Sequence, residues 1–409
     1  MKKIGLFEGY GIELEYIIVR TDTLDVLPLA DEVLRAAAGR YTTDYDNGVM
    51  GWSNELVSHL IEVKNVVPLP SLKGLARSFH KETEKIHEIL RPLNGRLMPS
   101  GMHPWMNPRR ETRLWNHRYR HIYETYDGIF NCRRHGWANV QSMHLNISFS
   151  NDGEFGRLHA AVRLLLPLIP ALAASSPIAE GRVTGRLDTR LSYYSANQRR
   201  VPSITGRIIP EPVYTKSAYR SSILQKMFRD IARHDPGGIL QNEWLNSRGT
   251  VPRFERSAME IRVIDTQECP AADIAVAEAI AGVLKLLASG RWSSSEDQKS
   301  WKTAPLASIL RKTGISGEKT VLDHARYLAL FGFPGKRARA SELWEHLVSE
   351  ARSSGYISRE SEAVLRVILR QGTLARRILG AAGKSPSRKR LMTVYETLCQ
   401  CLASNELFA

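Results

Sequence analysis

Four segments of the chain place polar or charged residues two positions apart among apolar ones. These pairs are Glu13 and Glu15, Glu62 and Lys64, His144 and Asn146, and Glu260 and Arg262. Side chains two apart on a β-strand point to the same face of a sheet, so each pair shares a face. Burying charge costs several kcal/mol unless the charge is paired or bound to a metal. A sheet that contains all four strands therefore has a face that is either exposed to solvent or holds cations.

The chain offers six candidate metal ligands, which are Glu13, Glu15, Glu55, Glu62, His144 and Glu260. Carboxylate oxygens suit Mg²⁺, which keeps several waters and bridges protein carboxylates to substrate phosphates. An imidazole among carboxylates also suits Mn²⁺, so both ions stay open. Glu55 and Glu62 are an odd number of residues apart, so both can bind metal only if a turn or bulge separates them.

Arg262 lies two residues after Glu260 and should share its face. A guanidinium at this place could neutralise charge on a phosphoryl group during its transfer. The alternative is a purely structural Glu–Arg pair across the sheet. Two interpretations of His144 remain open. It could be a core histidine whose hydrogen bonds are satisfied, or it could be a site residue, because Asn146 and the acid-bearing strands lie beside it.

The composition indicates an ordered globular chain with more than one unit, since 409 residues contain 43% hydrophobic and 24% charged residues. A net charge of +15 favours anionic partners. The basic residues are scattered and lack a nucleic-acid-binding motif, so we expect a small anionic substrate such as a nucleotide triphosphate and not RNA. The one compact cluster, KSPSRKR at 384–390, is typical of a solvated loop. The chain contains no GxxxxGK[ST], GxSxG or HExxH motif.

The sequence predicts a cytoplasmic protein that does not enter a membrane. The most apolar run, residues 164–174, is too short to span a bilayer and contains Pro167 and Pro170. Acidic residues appear by position 8, so the unbroken apolar region of a secretion signal is missing. The four cysteines show no CxxC spacing, which favours reduced thiols.

The pattern of apolar residues predicts an α+β fold in which many strands are antiparallel. Strands are expected at 12–19, 60–66, 143–149 and 258–264. Helices are expected at 72–90, 113–130 and 155–174, from Pro270 onward, and near 319–331, 341–353, 358–372 and 389–403. The polar stretch at 289–300 predicts a boundary between a catalytic domain, 1–290, and a helical C-terminal region, 291–409. Residues 182–215 are expected to form a functional loop.

Six motifs together strongly resemble the glutamate–cysteine ligase family 2, the carboxylate–amine ligases. They are GIELEY, GWSNELVSHLIEVKN, MPSGMHPW, NVQSMHLNISF, ALAASSP and AMEIRVIDTQECP, and the resemblance covers residues 5 to 290. It implies a glutamine-synthetase-like fold, with a curved, mainly antiparallel sheet flanked by helices and an active site on its concave face. The helical extension lies outside the resemblance and could be a dimerisation surface of a homo-oligomer, a lid or a partner site.

The resemblance also implies a reaction and its cofactors. Members of this family bind ATP with two or three Mg²⁺ ions, phosphorylate a substrate carboxylate and let an amine displace the phosphate. In the family's pattern the six candidate ligands named above bind metal, and Arg262 contacts the transferred phosphate. Asn146 and Arg200, a carboxylate clamp in NQRRVPSITG, are candidate substrate-binding residues. We expect glutamate or a related amino acid as the carboxylate, and the amine stays open.

Two other functions remain open at this stage. One is a phosphotransferase that acts on a guanidine or amine, because phosphagen kinases use a related fold. The other is a non-catalytic, basic RNA-binding or scaffold protein. Intact metal ligands argue against the second alternative.

Overall fold

The computed structural model describes residues 4–408. Residues 1–3, at the start of the first predicted domain, and Ala409, at the end of the second, lie outside the described residues. The strands in this range are β1 (Tyr10–Arg20), β2 (Asp44–Asp46), β3 (Met50–Asn54), β4 (Leu60–Asn65), β5 (Gly95–Met98), β6 (Ser142–Ser148), β7 (Ile178–Ala179), β8 (Arg182–Val183), β9 (Thr250–Arg253), β10 (Ala258–Asp265), β11 (Val321–Leu322) and β12 (Ala338–Arg339).

The helices lie between and after these strands. They are α1 (Ala30–Ala38), α2 (Leu75–Leu90), α3 (Pro108–Glu111), α4 (Arg120–Phe130), α5 (His135–Ala138), α6 (Asp152–Leu165), α7 (Pro170–Ala173), α8 (Thr189–Tyr194), α9 (Lys216–Tyr219), α10 (Gln225–Ala232), α11 (Pro270–Ala288), α12 (Ser295–Lys299), α13 (Thr303–Ser316), α14 (Ala325–Ala329), α15 (Ala340–Ser353), α16 (Arg359–Gln371), α17 (Leu374–Ala382) and α18 (Arg388–Ser404).

One eight-stranded sheet organises the molecule. Its order is β2-β3-β4-β1-β6-β10-β9, and β5 pairs with the second half of β1. Each of these pairings is antiparallel. The four strands predicted from alternation are β4, β1, β6 and β10, which are consecutive neighbours in the sheet. The predicted α+β fold with a mainly antiparallel sheet flanked by helices is confirmed.

Four strands of this sheet escape the sequence pattern for identifiable reasons. β2 and β3 are short and polar or contain Gly51, so the apolar alternation is missing. β5 has only four residues. β9 contains Pro252, which argues against a central strand, and β9 is indeed at the edge of the sheet, where a proline costs no ladder hydrogen bond.

Helix α11 is the central helix of the core. It begins at Pro270, as predicted, and nearly all of its residues are buried. It packs against α2 and α6 and also against α15 and α16 of the C-terminal region. At Gly282 a Cβ would lie 3.0 Å from the Ala351 Cβ and 3.1 Å from the Tyr356 Cβ, so the absence of a side chain permits this close approach.

Several helix predictions need correction. The helix expected over 113–130 begins only at Arg120, because Tyr119 adopts a left-handed conformation with a φ of 71°. Residues 155–174 are interrupted by a 3₁₀ turn at Leu166–Leu168, where Pro167 cannot continue the α-helix. The segment 319–331 contains a short strand and α14 instead of one helix. Helices α13 and α17 were not predicted.

The C-terminal helices share one continuous apolar core with the sheet domain. The division at residue 290 therefore stays a prediction about domains, and the packing of α15 and α16 on α11 shows only that the two parts are in contact. All four cysteines are buried and unpaired, as expected for reduced thiols. Within residues 4–408, no helix has both the length and the apolar character needed to cross a membrane.

Candidate active site

The strand register brings the predicted polar pairs into one continuous patch. On β1, Glu13 lies opposite Lys64 of β4 and opposite His144 of β6. Glu15 lies opposite Glu62. On the other side of β6, Asn146 lies opposite Glu260 of β10. Four segments that are far apart in the sequence therefore present their polar side chains to the same face.

His144 connects the two glutamates of β1. Its Nδ1 donates to Glu13 Oε2 at 2.9 Å, and its Nε2 lies 3.1 Å from Ser142 Oγ. Burial alone would lower the pKa of His144, but the hydrogen bond to Glu13 and the charges of Glu15, Glu13 and Glu260 raise it to about 9. In this arrangement His144 is an imidazolium that offsets part of the negative charge.

Two neighbouring side chains fix the orientation of the β1 glutamates. Ser142 donates to Glu15 Oε2 through its backbone N–H at 2.7 Å and its hydroxyl at 2.8 Å. Asn146 Nδ2 donates to Glu13 Oε1 at 3.1 Å. Burial raises the pKa of Glu15 and the nearby Glu62 adds to this, although His144 and Ser142 act in the opposite direction.

Lys64 neutralises Glu62. Its Nζ lies 2.7 Å from Glu62 Oε1 and 2.7 Å from Ser53 Oγ, and the Ser53 hydroxyl donates to the same carboxylate oxygen at 2.8 Å. Burial would raise the pKa of Glu62, but Lys64 and the hydrogen bonds outweigh it and hold the pKa below its ordinary value. Glu62 is therefore ionised in this structure.

Glu55 follows β3 directly, in the turn that leads to β4. This turn is the interruption that the odd spacing between Glu55 and Glu62 requires. Burial, together with the charges of Glu15 and Glu62, raises the pKa of Glu55 well above its ordinary value. At this end of the patch Asn54 Nδ2 donates to the Tyr123 hydroxyl of α4 at 3.0 Å.

Two overlapping groups of side chains have the geometry of metal ligands. One consists of Glu13, Glu62 and His144, and the other of Glu15, Glu55 and Glu62; within each group the ligand atoms lie within 4.8 Å of one another. The donors are mostly carboxylate oxygens with one imidazole, a set that fits Mg²⁺ or Mn²⁺ better than zinc. The pKa of Glu55 is raised chiefly by burial and further by the charges of Glu15 and Glu62, so a bound cation would favour its ionised form.

Glu260 stands outside these two groups and pairs with arginines. Arg262 Nε donates to Glu260 Oε1, and Arg253 Nη1 lies 3.4 Å from Glu260 Oε2. Burial would raise the pKa of Glu260, but Arg262, His144 and Arg253 lower it to about 2. The structure thus contains the Glu–Arg pair, while Glu260 as a metal ligand stays a prediction.

The Arg262 guanidinium keeps capacity for a further partner. Glu260 engages its Nε, and neither Nη group donates a hydrogen bond to a carboxylate among residues 4–408. The hydroxyls of Tyr126 on α4 and Tyr194 on α8 lie near Arg262. The Tyr194 hydroxyl is itself buried without a hydrogen bond in the described part of the chain.

The predicted clamp Arg200 lies apart from the carboxylates. It is exposed, and its Nη1 donates to the Ile129 carbonyl at the end of α4 at 3.2 Å. No hydrogen bond or ion pair joins it to the six candidate ligands among the described residues. Its role in substrate binding stays a prediction.

Sequence reasoning missed several residues that shape the site. Ser142 lies two positions before His144, so the same alternation extended by one step could have found it. Lys64 belongs to the alternating pair with Glu62, but the alternation by itself assigns it no role. Ser53 and Arg253 belong to β3 and β9, which had not been predicted, so no local signal pointed to them.

Comparisons with known sequences find relatives of this chain. The family model described as glutamate–cysteine ligase family 2 matches residues 10–391. An uncharacterized protein of Archaeoglobus fulgidus is 32% identical over 399 residues, which cover 97% of this chain and 99% of that protein. A putative glutamate–cysteine ligase 2-3 of Rubrobacter xylanophilus is 27% identical over 190 residues, or 46% of this chain and 47% of that protein.

Two solved structures share the fold. A glutamate–cysteine ligase of Francisella tularensis in complex with AMP has a TM-score of 0.65 and 14% identity, covering 99% of this chain and 90% of that chain. A bifunctional glutathione synthetase of Pasteurella multocida has a TM-score of 0.54 and 14% identity, covering 98% of this chain and 53% of that chain.

Proposed function

Because this chain belongs to the glutamate–cysteine ligase family 2 and is a ligase, we propose that it joins a carboxylate to an amine at the expense of ATP. The carboxylate belongs to glutamate or a related amino acid, and ADP and phosphate are released. The observation that carries the proposal is the convergence of five glutamates, His144 and Arg262 on one sheet face. The AMP bound to the structural relative from F. tularensis supports nucleotide binding.

The proposed reaction has two steps. A carboxylate oxygen attacks the γ-phosphorus of ATP and ADP leaves, which converts a poor acyl donor into an acyl phosphate. The amine nitrogen then attacks the acyl carbon, phosphate leaves, and a nearby carboxylate or phosphate oxygen takes the amine proton. Bound Mg²⁺ would offset the repulsion between the carboxylate and the polyphosphate.

The residues of the chain have separate parts in this proposal. Glu13, Glu62 and His144, together with Glu15 and Glu55, would hold the metal ions. Arg262 would donate from its Nη groups to the phosphoryl group, while Glu260 fixes the guanidinium through Nε. Asn146 donates a hydrogen bond to Glu13, so we assign Asn146 a positioning role in addition to its predicted contact with the substrate.

An assay of ADP release tests this proposal. Purified protein with Mg²⁺ and ATP is supplied with pairs of amino acids and amines, and the products are identified by mass spectrometry. We expect an amide product, and we expect Glu13→Gln to lower turnover by about 100-fold or more, because a bound metal supplies several kcal/mol. Glu345→Gln, an exposed change on α15, is the matched control.

Two other results would reject the proposal, and a third would reject its assignment of Glu13. A phosphorylated guanidine or amine without condensation would indicate a phosphotransferase instead. Absence of ADP release with every pair, although ATP binds, would contradict a ligase of this type. Unchanged turnover in Glu13→Gln would remove Glu13 from the metal site.

A further inference from the structure

A strongly basic cavity lies beside helices α4 and α8. Its volume is about 1030 Å³, and its walls come from the end of α4, from α5, and from α8 with the turn that follows it. Five arginines line it, namely Arg109, Arg133, Arg134, Arg199 and Arg200. The lining contains one carboxylate, Glu180, which accepts a hydrogen bond from His135 Nε2 at 3.2 Å. We call this cavity the arginine cleft.

Most of these guanidiniums lack a partner in the protein. Among residues 4–408, Arg109, Arg134 and Arg199 make no side-chain hydrogen bond or ion pair, and all three are exposed. Arg200 donates only to a backbone carbonyl. Isolated surface arginines are usually just solvated, but here five of them surround one concavity. Like charges around a cleft repel one another and focus a positive field that attracts anions.

The arginine cleft and the phosphoryl site share two helices. On α4, Tyr126 lies near Arg262, while Ile129 on the next turn lines the cleft. On α8, the Tyr194 hydroxyl lies near Arg262, while the adjacent Tyr193 lines the cleft and packs on His135 with the ring centroids 4.8 Å apart. Helices α4 and α8 therefore carry residues of both the phosphoryl site and the arginine cleft.

A smaller cavity lies beside the arginine cleft, and its one arginine, Arg388, is paired with Asp25 at 2.8 Å. This cavity has a volume of about 610 Å³ and shares Asn107 and Glu180 with the arginine cleft. The Arg388 guanidinium stands 3.6 Å from the Trp105 ring centroid, and Arg388 belongs to the KSPSRKR cluster. This cluster, which the sequence alone assigns to a solvated loop, thus lines a cavity next to the arginine cleft.

We propose that the arginine cleft binds the distal part of one of the two ligase substrates, and that this part carries two or more negatively charged oxyanion groups. The inference rests on the proposed function. Guanidiniums bind phosphate and carboxylate oxygens through paired hydrogen bonds, so a phosphate or a cluster of carboxylates provides the matching chemistry. A cavity of this size is at the upper end of those that hold small molecules, so a bare amino acid would leave most of it unfilled.

Calorimetric titration with two small anions tests the inference without turnover. The full-length protein, in EDTA, is titrated with inorganic pyrophosphate and with citrate. We compare the wild type with the double variant Arg134→Gln/Arg199→Gln and with the control Arg157→Gln/Arg370→Gln, in which both arginines are exposed and lie outside the cleft. We expect the double variant to weaken binding about 10-fold or more, and the control to stay within about twofold of the wild type.

The two anions show which kind of charged group the distal part of the substrate carries. Tighter binding of pyrophosphate indicates a phosphate, and tighter binding of citrate indicates clustered carboxylates. Binding of neither anion, or equal binding by the wild type and the double variant, would overturn the inference. The variants exchange exposed side chains, and a thermal melt checks that they are folded.

Two competition experiments exclude other occupants. If a non-hydrolysable ATP analogue with Mg²⁺ displaces pyrophosphate, the cleft is the nucleotide's own phosphate site and the inference is wrong. If a 15-nucleotide RNA binds with a steep salt dependence that the double variant removes, while the small anions fail, the partner is RNA and the inference is again wrong.

Ligation is measured separately so that the two proposals can fail independently. If anions bind to the cleft but no pair of substrates releases ADP, the proposed function fails and the anion site stands. If an uncharged amine and a simple amino acid are ligated, and the double variant leaves both KM values unchanged, the inference fails and the ligase stands.

Discussion

Replacing Glu55 by glutamine should stabilise the metal-free protein while it weakens metal binding. The carboxylate of Glu55 shares a group with those of Glu15 and Glu62, whose ligand oxygens all lie within 4.8 Å. Among the carboxylates of the described residues, Lys64 pairs with Glu62, and no ion pair joins a cationic side chain to Glu55. The amide of glutamine is nearly the same size and carries no charge.

The structure sets the size of this effect. Two unit charges 4.8 Å apart repel each other by about 3 kcal/mol at an effective dielectric constant of about 20. Glu55 can instead take up a proton, which at pH 7 costs about 4 kcal/mol for a carboxyl with an ordinary pKa near 4.3. Lys64 and His144 reduce the repulsion, so we expect Glu55→Gln to raise the free energy of unfolding by about 1 to 3 kcal/mol without metal.

Urea denaturation at pH 7, in EDTA and in Mg²⁺, measures both parts of the prediction. In the wild type, Mg²⁺ at 100 times its Kd should add about 2.7 kcal/mol to the free energy of unfolding. We expect Glu55→Gln to lose about 1.4 kcal/mol of that gain, which corresponds to a tenfold weaker site. Glu345→Gln should stay within about 0.5 kcal/mol of the wild type in both buffers. A Glu55→Gln protein that is less stable in EDTA, or that gains as much from Mg²⁺ as the wild type, would refute this reasoning.

Three further predictions concern other parts of the structure. Arg262→Ala should lower kcat by about 100-fold or more with little change in ATP affinity, since Arg262 would contact the phosphoryl group chiefly in the transition state. Steady-state kinetics and nucleotide titration measure the two effects, and equal losses in both would indicate a structural pair. Asp265→Asn should cost about 3 kcal/mol in urea denaturation, because it removes the charge partner of the buried Arg190, and a change below about 1 kcal/mol would contradict this. Burial lowers the pKa of His103 to about 3, so the unfolded chain takes up the proton first and stability is lost as the pH falls below about 6.5. Between pH 7.5 and 5 the loss at His103 is about 2 kcal/mol, and His103→Gln should reduce the wild type's pH dependence by that amount; an unchanged dependence would disprove it.

The sequence predicted the centre of the site because strand alternation is a local property. Glu13 and Glu15 share a face whatever the rest of the chain does, and the same holds for His144 and Asn146. That β1 lies between β4 and β6 is not local, and the sequence leaves the strand order open. The sheet order then turned the separate pairs into one patch.

The parts that sequence reasoning missed depend on contacts between distant segments. Arg253 reaches Glu260 only because β9 pairs with β10 at the sheet edge. The arginine cleft draws on several loops and short helices, so its arginines appear merely scattered along the chain. Tyr126 and Tyr194 belong to no motif in the sequence, and only the packing of α4 and α8 brings them near Arg262.

A bulge in β10 connects the phosphoryl site to helix α8. The pairing with β6 is regular up to Ile261, opposite Leu145, but it resumes with Ile264 opposite Met143, so β10 contains one extra residue. In a regular strand Asp265 would share the face of Ile261, away from the glutamates; the extra residue places it opposite Ser142 on their side. There Asp265 accepts hydrogen bonds from Arg190 of α8 and from the Ser176 hydroxyl, the latter at 2.8 Å.

The contact between Arg190 and Asp265 affects the position of residues in both proposed sites. Arg190 is buried and belongs to the same short helix as Tyr193 and Tyr194, so its pair with Asp265 fixes where these two tyrosines can lie. Tyr194 then approaches Arg262, whose own position is set by the bulge that turns Asp265 inward. The extra residue in β10 therefore helps to position Arg262, which we propose contacts the phosphoryl group, and one wall of the arginine cleft. This backbone irregularity thus helps to position residues of both proposed sites, and strand alternation alone cannot reveal it.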